Sequence, residues 1–328
     1  MKAAFLGTVP ETFDRVYGPR QRAMLEERVT LLDGVFDSAE AEALREAEVI
    51  FSTWGMPACT EAEIRRFLPK VKLLFYAAGS VQAFARPFLR AGVRVFSAWK
   101  ANAVPVAEFA YSQILLSLKG YFRANSAVEP DRERAHAIQT RYPGGYEARV
   151  GLLGCGAIGS RVAMKLREND VEVLAFDPYL SDVRAAELGV RRAALDEVFA
   201  QCDVVSNHMA NLPATVGIIR REHLLSMKPH STLINTGRGA QLSEADLRDM
   251  LTADPTRTAL IDVLADEAHA QDSVLNGLPN CLMTPHIAGS TGLEVRRMAD
   301  YMIRAFDCVQ AGLPCGDEVT ETMLETMA

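Results

Sequence analysis

Cysteine is scarce in this chain and unpaired in pattern. Six residues, at 59, 155, 202, 281, 308 and 315, are scattered over 328 positions with no CxxC pair. That pattern speaks for reduced thiols in a cytoplasmic protein and against a disulfide framework or a zinc site. No apolar run reaches the length of a membrane span. The opening MKAAFLGTVPE is too short in apolar residues for a signal peptide. Positive charge is not in excess either: 35 Lys and Arg stand against 42 Asp and Glu, a net of −7. Such a chain has no electrostatic footprint for nucleic acid and no attraction to anionic lipid. Internal repeats and low-complexity segments are missing as well.

What is present is a soluble enzyme's composition, with 49% hydrophobic and 23% charged residues. The length allows two domains with cores of their own. In the first hundred residues AAFLG, VTLLD, EVIFST, KLLFYA and VRVFSA read as strands. Stretches such as TEAEIRRFLPK between them read as helices. This alternation predicts a parallel sheet covered by helices. An apolar-rich helix is expected over 103–122, followed by a polar surface or subunit-contact excursion at 124–147. A second alternating series follows: RVGLL, VEVLAF, DVVSN, STLIN, TALID and CLMT. Ser243 with Asp246 resembles a capping box. The last helix is expected over 291–312, with Leu293, Met298, Met302, Phe306 and Val309 turned to the core.

The segment VGLLGCGAIGSRVAMKL carries Gly154, Gly156 and Gly159 in the spacing GxGxxG, after a strand and opening a helix. Gly154 permits the tight turn. Gly156 lets a pyrophosphate approach the backbone, and Gly159 lets the helix pack on the strand. The helix N-terminus, with Ala157 and Ile158, offers free N–H groups to phosphates. The next strand ends at Asp177, followed by Pro178. A carboxylate there can accept from both adenosine ribose hydroxyls and would repel a 2′-phosphate, which favours NAD over NADP.

Ligands of open parallel sheets bind beyond the carboxyl ends of the strands. Here STLIN runs into Thr236, Gly237 and Arg238. TALID ends at Asp262, with Glu267 five residues on, and CLMT leads to His286 and Gly289. Hydride transfer at a 2-hydroxy acid needs such a set. His286 can take the hydroxyl proton. Glu267 can orient it and stabilise the imidazolium, and Arg238 can hold the substrate carboxylate and polarise the carbonyl formed. Asp262 could accept from the nicotinamide carboxamide. Taken singly, Arg238 could serve a loop ion pair, Glu267 could be a solvated acid and Asp262 could cap a turn.

GCGAIG with Asp177 and Pro178, NTGRGA, IDVLADE, TPHIAGST and the helix PVAEFAYSQILLSLK together resemble the D-isomer-specific 2-hydroxy-acid dehydrogenases. The likeness spans most of the chain. It implies an α/β fold of two doubly wound parallel-sheet domains. A Rossmann NAD-binding domain at 102–291 is then inserted into a flavodoxin-like substrate domain at 1–101 and 292–328. It implies a cytoplasmic homodimer with helices after residue 103 in the interface, acting on a small 2-hydroxy or 2-oxo acid. Ala78, Gly79 and Ser80 stand where the family has its carboxylate-binding loop; the alternative is a plain turn. Asn207, Ala210 and Ala268 depart from the pattern. His208 reads as structural or cofactor-adjacent, and His136, His223, His230 and His269 as surface residues. The substrate stays open, since Trp54, Tyr76, Trp99 and Asn102 could shape the pocket or simply pack. The same fold also serves an NAD(H)-sensing corepressor, a binding module; the intact Arg–Glu–His set argues against it. Formate dehydrogenase pairs its histidine with glutamine, which Glu267 disfavours.

Overall fold

The computed structural model describes residues 1–128 and 131–327. The chain divides into two compact units, Met1–Ala103 with Ser290–Ala328, and Val104–Gly289.

In the first unit the five apolar runs form β1 (Lys2–Leu6), β2 (Thr30–Phe36), β3 (Val49–Ser52), β4 (Leu73–Tyr76) and β5 (Arg94–Ser97). Their mutual pairings are parallel, in the order β5-β4-β3-β1-β2. This is the 2-1-3-4-5 order of flavodoxin-like sheets. β3 and β4 are buried along their whole length because helices cover both faces, so they read as continuous apolar runs. One face carries an aromatic core of Phe5, Phe13, Tyr17, Phe51, Phe75, Phe96 and Phe306. Phe75 and Phe96 stack at 4.7 Å and Phe51 on Phe75 at 5.3 Å. The helix Val295–Gln310 returns the chain to this unit and buries Met298, Met302 and Phe306 in that core.

The second unit contains β6 (Tyr146–Leu153), β7 (Asp170–Phe176), β8 (Arg191–Arg192), β9 (Val204–Asn207), β10 (Thr232–Asn235), β11 (Thr258–Ile261) and β12 (Cys281–Met283). The order is β12-β11-β10-β9-β6-β7-β8, all parallel. That is a Rossmann sheet with one further strand, its order reversing at β6 and β9. A last short strand, β13 (Glu318–Val319), adds antiparallel to β5 in the first sheet.

Four expectations are corrected. The helix expected over 103–122 is Trp99–Leu118, and a new helix, Tyr121–Val128, starts after Gly120 at φ +67°. The excursion at 124–147 contains that helix's end, the helix Arg132–Gln139 and the start of β6; residues 129 and 130 lie outside the described residues. The final helix begins only at Val295, after a 3₁₀ turn over Gly292–Glu294. Leu293 on that turn is 73% exposed, not in the core. His223 is buried, not on the surface. Its Nδ1 accepts from the Arg220 amide, its Nε2 meets Asp196 at 2.9 Å, and its ring stacks on Phe199.

Candidate active site

The glycine turn after β6 is built on contacts that only glycine allows. Gly154 sits at φ +85°, and a Cβ there would press on the His208 carbonyl at 3.0 Å. A Cβ on Gly159 would lie 1.9 Å from the Gly154 carbonyl oxygen. The helix Ala157–Leu166 therefore packs on its own entry turn as no other residue at 159 would permit. Gly156 is the contrast: it is the N-cap, it is exposed, and no atom lies within 4 Å of its missing Cβ. No side chain caps this helix, so its first N–H groups keep their donors at the positive end of the dipole. Asp177 closes the cradle. Its two oxygens accept from the Cys155 amide at 2.7 Å and the Tyr179 amide at 2.8 Å. Each keeps a second lone pair, so the carboxylate can still accept from ribose hydroxyls. Turn, open helix end and carboxylate fit a dinucleotide. Burial pushes the Cys155 thiol inside this turn up to about 12.

The loop after β9 rests on a buried polar network that sequence reasoning missed. Asn207 donates to Asn235 at 2.9 Å and to Gln241 at 2.6 Å, and its oxygen accepts from the Met209 amide. Gln241 donates in turn to the carbonyls of Met209 and Ala210. The departures at 207 and 210 are thus compensated: the amide of Asn207, fully buried, is satisfied by side chains of the next strand end. The signal was in the sequence, as asparagines ending two strands that proved adjacent, β9 and β10. A Cβ on Gly237 would strike this network at 2.8 Å. His208 is buried, its ring nitrogens 3.0 Å from the Ser206 hydroxyl and 3.3 Å from that of Thr236. Burial lowers its pKa to about 3, so it is neutral.

Beyond β10, Arg238 is partly buried. Its Nη1 donates to the Gly237 carbonyl at 2.7 Å, and its backbone N–H to Gln241. Burial lowers its pKa, and the Glu267 carboxylate nearby works against that shift. The backbone packs tightly here: a Cβ on Gly239 would come within 2.0 Å of the Leu264 carbonyl carbon. This brings the arginine turn against the segment leading to Glu267.

His286 follows β12 at φ +54°, a left-handed conformation that is uncommon for a residue other than glycine. Asp262, buried at the end of β11, holds this turn. Its carboxylate accepts from the Thr284 hydroxyl at 2.6 Å, the Ile287 amide at 2.8 Å and the Ala288 amide at 2.9 Å. The His286 amide donates to the Asp262 carbonyl. The His286 Nδ1 then lies 2.9 Å from Glu267 Oε2, with both side chains about half exposed. If Nδ1 carries the proton shared with the carboxylate, Nε2 presents its lone pair outward.

In the first unit, Ala78, Gly79 and Ser80 follow β4. The Ser97 hydroxyl bonds to the carbonyls of Ala78 and Gly79 at 3.1 and 2.7 Å. Among the described residues no acceptor meets the amides of Gly79 and Ser80. Trp54 is 38% exposed, whereas Tyr76 is buried edge-on against Phe84. Asn102 accepts from the Ser290 amide at 3.0 Å. The described residues hold no cluster of side chains suited to a metal ion and no helix long and apolar enough to cross a membrane.

Residues 112–288 match the family model for the NAD-binding domain of D-isomer specific 2-hydroxyacid dehydrogenases. The chain belongs to that family. Its second unit carries the family's NAD-binding domain, as the glycine cradle and Asp177 fit. The D-3-phosphoglycerate dehydrogenase of Mycobacterium bovis is 33% identical over 235 residues, 70% of this chain but only 43% of that enzyme. The chain thus aligns with less than half the length of that relative. The formate dehydrogenase of Neurospora crassa is 32% identical over 267 residues, 77% of this chain and 70% of that one. Among solved structures, a D-2-hydroxyisocaproate dehydrogenase has the same fold with a TM-score of 0.77 at 21% identity, covering 98% of this chain and all of the other.

Proposed function

We propose that this protein is an NAD-dependent oxidoreductase that interconverts a D-2-hydroxy acid and the corresponding 2-oxo acid, acting in the cytoplasm as a homodimer. The observation that carries the reading is the 2.9 Å contact between His286 Nδ1 and Glu267 Oε2 at neighbouring strand ends. Bound NAD supplies the chemistry of a two-electron hydride acceptor, or a donor in the reverse direction. The chain supplies the proton and the charge. In the oxidative direction His286 Nε2 takes the proton of the C2 hydroxyl while the C2–H electron pair leaves. Glu267 faces the imidazolium that results, so the charge forms next to a fixed carboxylate. Arg238 pairs with the substrate carboxylate and with the developing carbonyl oxygen; its partial burial strengthens both interactions. Reduction runs the same steps backward, with His286 giving its proton to the carbonyl oxygen. In the first unit, taken by itself, the amides of Gly79 and Ser80 meet no acceptor among the described residues and are donors of a kind that suits a carboxylate.

The decisive experiment follows NADH oxidation with a panel of 2-oxo acids. His286→Asn is expected to lower kcat by about a hundredfold or more while NADH binding, read by fluorescence, is retained. Glu267→Gln is expected to lower kcat less, since the tautomer is kept and only the charge is lost. Wild-type turnover in His286→Asn would end the assignment. An NAD(H)-sensing module would bind NADH and turn over no 2-oxo acid.

A further inference from the structure

We propose that the first unit carries a second ligand site, a pocket for a phosphate group that keeps one hydrogen. It lies between the helix Pro19–Glu26 and the start of the helix Val295–Gln310. An open cavity of about 450 Å³ is found there, lined among others by Arg20, Gln21, Glu294, Arg296, Arg297 and Asp300. Every residue that lines it belongs to the first unit. None of them takes part in the dehydrogenase reading, and the proposal stands without it.

The polar groups of this pocket do not satisfy one another. Arg20 is committed to Asp300, whose two oxygens it meets at 2.8 and 2.6 Å. Glu294 accepts from the Thr291 amide at 3.0 Å. Arg296 Nε and Arg297 Nη1 are buried and meet no acceptor among the described residues. The backbone amides of Arg20 and Gln21, in the first turn of their helix, meet none either. Gln21 is 1% exposed and supplies the opposite need. Its Nε2 donates to Asp300 Oδ1 at 2.9 Å, which sets the orientation of the amide and leaves Oε1 buried without a donor. Buried groups of this kind are costly when unmet, and two neighbouring guanidinium groups favour an anion between them. The occupant must therefore be an anion with several acceptor oxygens and one hydrogen of its own to give. A phosphate with one P–OH meets both demands. Sulfate has the same shape and charge but no hydrogen for Gln21. Gly18 leaves room for the arginine: a Cβ there would lie 3.0 Å from Arg296 Nε and 3.2 Å from its Cζ.

The test is calorimetric titration of the full-length protein with inorganic phosphate, sulfate and glycerol 3-phosphate, in saturating NADH so that the glycine cradle is already filled. Inorganic phosphate or glycerol 3-phosphate is expected to bind more tightly than sulfate by about tenfold or more. The tighter of the two shows whether the natural occupant is the free ion or a phosphate monoester. Replacing both arginines, Arg296→Gln with Arg297→Gln, is expected to weaken phosphate binding by about tenfold or more while NADH affinity and melting without phosphate stay at wild type. Gln21→Leu is expected to bring phosphate down to the affinity of sulfate. Gly18→Ala keeps every charge and every partner of Asp300, and is expected to weaken phosphate binding by pushing the Arg296 guanidinium aside. No binding of either phosphate probe overturns the proposal. So do equal affinities for phosphate and sulfate in the wild type, or phosphate binding unchanged in the double arginine variant. These outcomes leave the dehydrogenase reading intact, since the two sites share no residue.

Discussion

The Asp262 carboxylate grips the backbone of Ile287 through a 2.8 Å hydrogen bond, and by doing so fixes the turn that presents the histidine one residue earlier. Asparagine at 262 keeps one acceptor and loses the other. The Ala288 amide, now bonded to Asp262 Oδ2, is then left facing an NH₂ group. Unfolding in urea should show a loss of about 1–3 kcal/mol, the cost of an unsatisfied buried donor. Steady-state kinetics should show kcat reduced more than KM is raised, since His286 no longer holds its left-handed backbone. A variant with wild-type stability and kcat would show that the turn holds itself.

Gly156 and Gly159 should separate cofactor binding from folding. Alanine at 159 would drive its Cβ into the Gly154 carbonyl, so the helix must move away from the strand. The expected cost is about 1–3 kcal/mol of stability, together with weakened NADH binding. Alanine at 156 meets nothing within 4 Å. Thermal melting should stay near wild type, while NADH affinity falls because the methyl group occupies the approach to the helix end. Equal melting temperatures for the two variants would contradict this division.

His208 should make stability depend on pH below neutrality. Its folded pKa of about 3 lies under the unfolded value of about 6.5. Between the two, the unfolded chain binds a proton that the folded chain does not. This contribution is therefore complete above pH 6.5 and is lost progressively as pH falls toward 3, at up to about 1.4 kcal/mol per pH unit. Urea titrations at pH 7, 6, 5 and 4 should show a shallower decline in His208→Asn than in wild type. Parallel slopes would show that His208 titrates freely.

Much of the fold was legible because the interior strands are short runs of apolar residues buried on both faces. VIFS and LLFY could hardly be anything else between helical patterns. The two-residue strands Arg191–Arg192 and Glu318–Val319 were not legible. Neither has an apolar run, and each exists only because an edge strand offers it a partner. Leu293 misled because it lies at helical spacing from the residues after it, while the local backbone is a 3₁₀ turn with a different period. His223 misled because a polar letter says nothing of its partners. With the Arg220 amide and Asp196 satisfying its ring, burial costs it little. At the candidate site, motif spacing pointed to Arg238, Glu267 and His286. The Asn207–Asn235–Gln241 network left only two strand-ending asparagines as its sign, because its members lie far apart in the chain and meet only once β9 and β10 have paired.

The strand Glu318–Val319 lies along β5 and would otherwise leave that strand's outer backbone groups open. Bidentate pairing of Arg94 with Glu318, the Arg90–Glu321 contact, and the buried side chains of Val319 and Leu324 clamp it in place. The segment thus behaves as a selvedge on a woven cloth. Were it clipped or peeled back, β5 would become an adhesive margin, ready to recruit a strand from another molecule.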